Sequence, residues 1–446
     1  MNPLTSPLLT DLYQLTMLQG YIDNGMHEDA VFEFYVRKLP EKRGFLMAAG
    51  LDTLLAFLED LQFSAAELQY LEDTGRFSAS LIEYLSAFRF NGDIFAMPEG
   101  TVFFENEPVI RIVAPMPAAQ LIETRLINIL HFEILIASKA ARCVLAAADR
   151  AALVDFGMRR AHGAEAGLLA ARATYIAGFT GTSTVLAEPL YGIPIFGTMA
   201  HSYIEAHENE LEGFMSYART NPENTTLLID TYDVCEGAGK AVEAAKRLAR
   251  EGIKVQAIRL DSGDLLELSK EVRRILDQAG FPEIRIMASG NLDEYAIREL
   301  LLRGAPIDGF GVGTKLDTSE DAPYLECAYK LMEYAGKPRF KKSHGKATIP
   351  GRKQVFRRFE GRTMVGDIVA LEGDDVAGVP LLAQVMTRGR SASARRDLKE
   401  IASQARTQME ALPPHFRNLD AIPAYPVEIS HSLMRLSGNM EIEQAP

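Results

Sequence analysis

The chain has 446 residues, 47% of them apolar, so it can bury at least one large core, and a length of this kind suggests about two or three domains. A net charge of −13 argues against a general nucleic-acid partner, which would require a dominant basic face. No uncharged run approaches a membrane span, and Asp11 precedes the first Lys or Arg, Arg37, so neither a membrane anchor nor a secretory leader is expected. Cys143, Cys235 and Cys327 form no CxxC pair, which fits reduced thiols and a cytoplasmic location.

Residues 1–120 mix a helical pattern, "LDTLLAFLEDLQ" (51–62), with strand-like runs, "AVFEFYVRK" (30–38) and "TVFFENEPVIRIV" (101–113). Within residues 121–330, from about Ala152 onward, the chain repeats one unit: a short aliphatic run, a cluster of Gly, Asp, Ser or Thr, then an amphipathic helix. Seven candidate strands follow: 152–157, 174–179, 193–197, 226–230, 255–260, 284–290 and 308–313. Helices are expected at about 236–250, 265–279 and 293–303. This alternation implies an α/β fold with a parallel sheet, either doubly wound or closed.

An irregular seven-stranded β/α barrel is the preferred form, because reactive side chains follow strand after strand and so collect on one rim. Residues 331–446 hold a basic loop, further strands and a helical "ARRDLKEIASQAR" (394–406). They are expected to pack with residues 1–120 as one discontinuous α+β domain. Between Lys330 and Arg358 there are ten Lys or Arg and one acid, Glu333; Gly345, Pro350 and Gly351 punctuate a loop that leads to a strand near Gln354–Phe356. A loop of this charge suits an anionic ligand, although such runs are most often solvated surface.

The rim carries the chemistry. Asp155, Phe156 and Arg159 follow the first run, and Thr182, Ser183 and His201 follow later ones. Asp230 and Asp233 stand at another strand end, where two acids can order a metal or orient an imidazole, or simply cap a helix. "RLDSGDL" (259–265) offers Arg259, Asp261 and Asp264 to sugar hydroxyls, Mg²⁺ or anions, against the plainer reading of a helix N-cap by Asp261 or Ser262. "ASGNLDE" (288–294) and "GFGVGTKL" (309–316) are glycine turns of the kind that cradles phosphate. Neither a dinucleotide fingerprint nor a P-loop is present, and His201 with His207 does not match HExxH, so zinc is not expected. On these residues alone, His201 is a base or a nucleophile in a barrel enzyme with a phosphorylated substrate and a divalent cation.

These segments together resemble nicotinate phosphoribosyltransferase. "PLLTDLYQLTM" (7–17), "DFGMRR" (155–160), "GFTGTSTV" (178–185), "GTMAHSY" (197–203), "RLDSGDL", "SGNLDE", "GVGTKL" and "GKATIPGRKQVFR" (345–357) look like that family's motifs in its order, from about residue 3 to residue 360. The tail looks like the longer form of the family. The resemblance implies a type II phosphoribosyltransferase-like barrel that couples nicotinate and phosphoribosyl pyrophosphate, with ATP hydrolysis, to give nicotinate mononucleotide and pyrophosphate. It makes His201 the residue that ATP phosphorylates, with Asp230 the candidate to orient its imidazole.

By the same resemblance Phe156 and, from the partner subunit of a homodimer with shared active sites, Tyr13 sandwich the pyridine ring. Thr198, Arg159 and Arg259 surround its carboxylate. Asp261 falls on the ribose, and Gly290, Asn291, Gly313 and Thr314 on the 5′-phosphate. Arg37, Lys342, Lys346 and Lys353 fall on pyrophosphate or ATP, where "KKSHGK" departs from the expected pattern at His344. Ser183 stands where nicotinamide-using relatives carry an aspartate, which favours the acid as substrate. Mg²⁺ is implied by pyrophosphate chemistry, with no ligand set assigned. The rival readings are a nicotinamide-using phosphoribosyltransferase, a sugar-phosphate aldolase or isomerase barrel acting through Lys315 or His201, and a barrel that only binds a phosphorylated metabolite.

Overall fold

"DAVFEFYV" is rich in β-branched and aromatic groups and folds as the strand Asp29–Val36, buried on both faces after Asp29. On one side Phe32, Phe34 and Val36 join a core with Leu15, Leu54 and Leu58; on the other, Val31 and Tyr35 meet Ala328 and Met332. The computed structural model describes residues 4–341, 348–392, 395–420 and 424–443. These form two units, one of residues 1–135 with 324–446 and the other of residues 136–323. Breaks were expected near 120 and 330; the first division falls at 135/136, inside the helix Glu123–Ala147.

In the first unit, Asp29–Val36 lies in a seven-stranded sheet between Cys327–Tyr334 and Ile110–Pro115, both antiparallel to it. The helix Leu51–Asp60 turns Leu51, Leu54, Leu55 and Leu58 inward, the spacing of one helical face. A four-stranded sheet is built on the hairpin of Lys353–Glu360 and Thr363–Leu371. Arg357 and Asp367 pair across that hairpin with both side chains fully buried and Nη2 2.6 Å from Oδ2. Removing either partner would strand a buried charge at a cost of about 3–5 kcal/mol.

The second unit carries the strand and helix repeat. Its parallel sheet has six strands in the order Gly181–Thr182, Ala152–Asp155, Gly309–Val312, Arg285–Ser289, Ala257–Leu260, Thr226–Leu228. The expected helices are present as Val234–Arg250, Leu265–Gln278 and Glu294–Leu302, each opened by an aspartate, Asp233, Asp264 or Asp293, whose side chain accepts from the first turn. Two expected strands differ. The run 174–179 ends the helix Ala164–Ala177, which is apolar nearly all round, and Gly178 at φ +114° stops it. The strand that follows is only Gly181–Thr182. The run 193–197 makes a single parallel bridge, Ile195 to Thr182, rather than a ladder. Regular pairing therefore gives six strands, not seven.

Candidate active site

Every strand of the second unit runs the same way, so the turns at their C-terminal ends share one rim. At the end of Ala152–Asp155, Asp155 is fully buried and accepts from Gly157 N at 2.8 Å and from the Thr182 hydroxyl at 2.7 Å. These bonds set the turn that presents Phe156 and leads into the short 3-10 turn of Arg159. Phe156 N donates to Val312 O at 2.8 Å. A Cβ at Gly311 would lie 2.4 Å from Phe156 Cδ2, so the bare glycine gives the ring its seat.

Under that ring a cavity of about 270 Å³ runs between the strands, lined among others by Phe156, Phe196, Thr198, Arg259, Met287 and Gly311. It is large enough for one small aromatic ring, and its walls are mixed: Phe156, Phe196 and Met287 stand beside polar groups that include Thr198, Arg259 and Arg285. Thr198 Oγ1 donates to Thr226 O at 2.6 Å, which joins the 193–198 segment to the far edge strand. Arg259 enters the cavity from its strand with Nε buried and without an acceptor among the described residues. Burial pulls its pKa below the ordinary value, and the carboxylates of Asp261 and Asp230 oppose that shift.

His201 opens the short helix His201–Glu205, and its ring is 38% exposed. Nδ1 lies 3.2 Å from the Thr231 hydroxyl, while Nε2 lies 3.8 Å from Asp261 Oδ2 and 4.0 Å from Asp230 Oδ1. Asp230 divides its carboxylate between two tasks. Oδ2 accepts from Asp261 N at 2.9 Å and from the Ser262 hydroxyl at 2.6 Å, which pins the "DSG" turn. Oδ1 faces the imidazole, is buried, and has no hydrogen-bond partner among the described residues. Asp261 in turn accepts from the Ser289 hydroxyl on the neighbouring strand.

Beyond Ser289 the chain turns through Gly290 at φ +96° and Asn291 at φ +52°. A Cβ on Gly290 would lie 2.2 Å from Asp261 O, so this turn needs glycine and stands directly against the "DSG" turn. Gly313 and the exposed Thr314 open the short helix Thr314–Asp317 after the last strand. Ser183 is half-buried, with its amide donating to Asp155 O at 2.8 Å.

Phe156, Arg159, Ser183, Asp230, Asp261, Gly290, Asn291, Gly313 and Thr314 thus belong to one unit and follow strands of one sheet, with Arg259 inside one of those strands and Thr198 and His201 after the bridged 193–197 run. Asp233 and Asp264 serve as helix caps, as does Asp293. The cap of the "RLDSGDL" turn is therefore Asp264, not Asp261 or Ser262. Lys315 is paired with Asp293 at 2.8 Å, and its pKa is raised by that bond, the opposite of what a Schiff-base lysine requires.

Tyr13 and Arg37 lie in the other unit, Tyr13 exposed and Arg37 half-buried. Lys342 and Lys346 lie outside the described residues. Lys353 departs from the phosphate-binding expectation. Its side chain is 6% exposed, and its ammonium meets Glu33 Oε2 at 2.8 Å and donates to Ile349 O at 2.6 Å. A buried ion pair occupies the charge because this lysine begins a strand instead of remaining in the loop. Thr231, Phe196 and Arg285 were not singled out from sequence. For Arg285 the available signal was its i, i+2 alternation with Met287, since both line the cavity.

Among the described residues no group of three or more His, Cys, Asp or Glu could hold a metal by itself. The Asp230 and Asp261 carboxylates beside His201 are hard oxygen donors, one with an orphaned buried atom. This suits Mg²⁺, which commonly combines one or two carboxylates with substrate phosphate oxygens.

Family models match most of the chain: the nicotinate phosphoribosyltransferase N-terminal domain over residues 8–131, the nicotinate phosphoribosyltransferase family over residues 151–354, and its C-terminal domain over residues 373–437. The nicotinate phosphoribosyltransferase pncB2 of Mycobacterium tuberculosis is 48% identical over 96% of this chain and 92% of its own length. That of Bacillus subtilis is 42% identical over 83% of this chain and 77% of its own. The crystal structure of human nicotinic acid phosphoribosyltransferase superposes with a TM-score of 0.88 at 28% identity, covering 97% of this chain and 100% of that one.

Proposed function

Because the chain belongs to the nicotinate phosphoribosyltransferase family, we propose that it joins nicotinate to phosphoribosyl pyrophosphate in its second unit, through a phosphohistidine at His201. The product is nicotinate mononucleotide, and the reaction is a step of NAD salvage from nicotinate. The observation that carries this reading is that Phe156, Thr198 and Arg259 line one cavity between the strands of the same sheet whose C-terminal turns bring together His201, Asp230 and Asp261.

The pyridine ring lies against Phe156 in the cavity, with its carboxylate toward Thr198, Arg159 and Arg259. An aromatic wall gives a flat ring dispersion and area, and the desolvated Arg259 favours an anion over a neutral group. Asp261 meets the ribose, and the amides of Gly290, Asn291, Gly313 and Thr314 meet the 5′-phosphate. The ring nitrogen gives its lone pair to ribose C1 as the bond from C1 to pyrophosphate oxygen breaks, and the electrons of that bond leave with pyrophosphate. Charge separates in this step, so fixed dipoles and charges matter more than a strong base.

Asp230 and Asp261 are the residues that would hold Mg²⁺ beside the diphosphate. When bound, the ion neutralises charge on the departing pyrophosphate. ATP acts as co-substrate: an imidazole nitrogen of His201 bonds the γ-phosphorus, the bond to the ADP oxygen breaks, and water later removes the phosphoryl group. Thr231 and Asp230 keep the ring in place for this exchange. Arg37, Lys342 and Lys346 serve pyrophosphate or ATP, and Tyr13 of the partner subunit covers the other face of the pyridine in a homodimer. The 193–198 segment acts as an irregular seventh stave that closes the sheet as a barrel. Three free cysteines support placing the reaction in the cytoplasm.

The test is product formation from phosphoribosyl pyrophosphate and Mg²⁺ with nicotinate or nicotinamide, each with and without ATP. Nicotinate mononucleotide made faster with ATP, together with ADP, is the expected result. No mononucleotide from either base would overturn the reading.

A further inference from the structure

A second acid stands behind the turn that carries Phe156. Asp317, the last residue of the helix opened by Gly313 and Thr314, is 1% exposed and lies against the fully buried Asp155. Neither of its carboxyl oxygens meets an N–H or hydroxyl donor among the described residues. Its contact with the turn is close: a Cβ on Gly157 would lie 2.1 Å from Asp317 Cγ. Asp155, in contrast, already accepts from the Gly157 amide and the Thr182 hydroxyl, and both bonds favour its charged form.

Two buried carboxylates in contact cannot both ionise, so one holds a proton, and the group without other donors is the one that holds it. We propose that Asp317 is a neutral carboxylic acid that donates its proton in a hydrogen bond to Asp155, and so locks the Phe156–Arg159 turn to the Gly313–Thr314 turn. Asp317 is then a positioning residue joining two binding turns: one for the base and one for the 5′-phosphate. The assignment of those turns to substrates rests on the function proposed above; the shared proton does not.

Burial pushes both carboxyls upward; the charge of Asp155 drives Asp317 further, well above the ordinary aspartate range, whereas the bonds to Asp155 from Gly157, Thr182 and Asp317 hold its own rise back. The elements packed around the pair carry Arg159 and Arg160 on the 3-10 turn, Glu165 and Arg172 on the helix Ala164–Ala177, and Lys315 on the helix of Asp317 itself. Among the described residues, the groups that shift either carboxyl are Gly157, Thr182 and the other acid. Rising pH must therefore remove the shared proton against a buried like charge, and the lock opens when it goes.

The experiment compares the full-length protein with Asp317→Asn and Asp317→Ala. An asparagine keeps a donor aimed at Asp155 but cannot titrate; alanine removes the donor. The expected result is that Asp317→Ala raises KM for nicotinate and for phosphoribosyl pyrophosphate about tenfold with a smaller change in kcat, equivalent to about 1.4 kcal/mol. Asp317→Asn keeps both within about twofold and loses the alkaline rise in KM shown by the unsubstituted protein. The infrared difference between the unsubstituted protein and Asp317→Asn at neutral pH should show a buried protonated carboxyl band, to which Glu107, buried and raised alike in both proteins, does not contribute. That band is read without turnover, so an inactive protein that shows it would count against the proposed reaction and for the pair. Absence of the band in the unsubstituted protein, or an asparagine variant as impaired as the alanine one at equal thermal stability, would overturn the proposal.

Discussion

Replacing Gly311 by alanine should weaken nicotinate binding chiefly through Phe156, whose ring rests on it in the wall of the cavity. The added methyl would lie 2.4 Å, 2.7 Å and 3.2 Å from Cδ2, Cε2 and Cγ of that ring, all well inside contact distance. The backbone at Gly311 is an ordinary strand, so alanine brings no conformational penalty of its own. Relief must come from the ring. If it stays, overpacking costs about 1–3 kcal/mol of stability. If it swings away, the cavity loses its aromatic wall, and a stacked pair contributes about 0.5–1.5 kcal/mol beyond area burial. The second outcome corresponds to a rise in nicotinate KM of about two- to tenfold, at 1.4 kcal/mol per factor of ten. Steady-state kinetics with nicotinate varied at saturating phosphoribosyl pyrophosphate, beside a thermal melt, separates the two. The KM for phosphoribosyl pyrophosphate should change little, because its glycine turns are untouched. A variant with unchanged nicotinate KM and unchanged melting temperature would refute the placement of the ring over Gly311.

His201→Ala should abolish the rate gain from ATP while leaving slow transfer, measured as mononucleotide formed with and without ATP; equal stimulation would remove the phosphohistidine role. Ser183→Asp should shift preference from nicotinate toward nicotinamide by at least about tenfold, because like charges brought together cost several kcal/mol; competition between the two bases reads this directly. Lys353→Ala leaves Glu33 buried without its partner and should cost about 3–5 kcal/mol of stability, measured by denaturant unfolding. A rise in KM for phosphoribosyl pyrophosphate or ATP at unchanged stability would instead restore Lys353 as a phosphate ligand.

What could be read from the chain was whatever depends on local order. The strand-turn-helix repeat, its three amphipathic helices and its rim of polar turns all follow from period and turn chemistry. The run 174–179 misled because an apolar hexapeptide has no period of its own; the alanine-rich stretch before it carries the helix through. His201 could be placed on the rim from sequence, but Thr231 could not, since its contact depends on how two turns thirty residues apart meet. Lys353 shows the converse: a charge run looks like surface until one member pairs inward with Glu33, more than three hundred residues away. Asp317 is likewise silent in sequence, because nothing in "TKLD" announces that its acid faces Asp155.

The buried Nε of Arg259 has a further implication for discrimination. A guanidinium withdrawn from water and left with an unused donor makes the unliganded pocket the less comfortable state. An anionic ligand gives that donor an acceptor and a countercharge together, whereas a neutral amide supplies only the first. Selectivity can then originate in the discomfort of the vacant site, before any group in the pocket has to repel the wrong base.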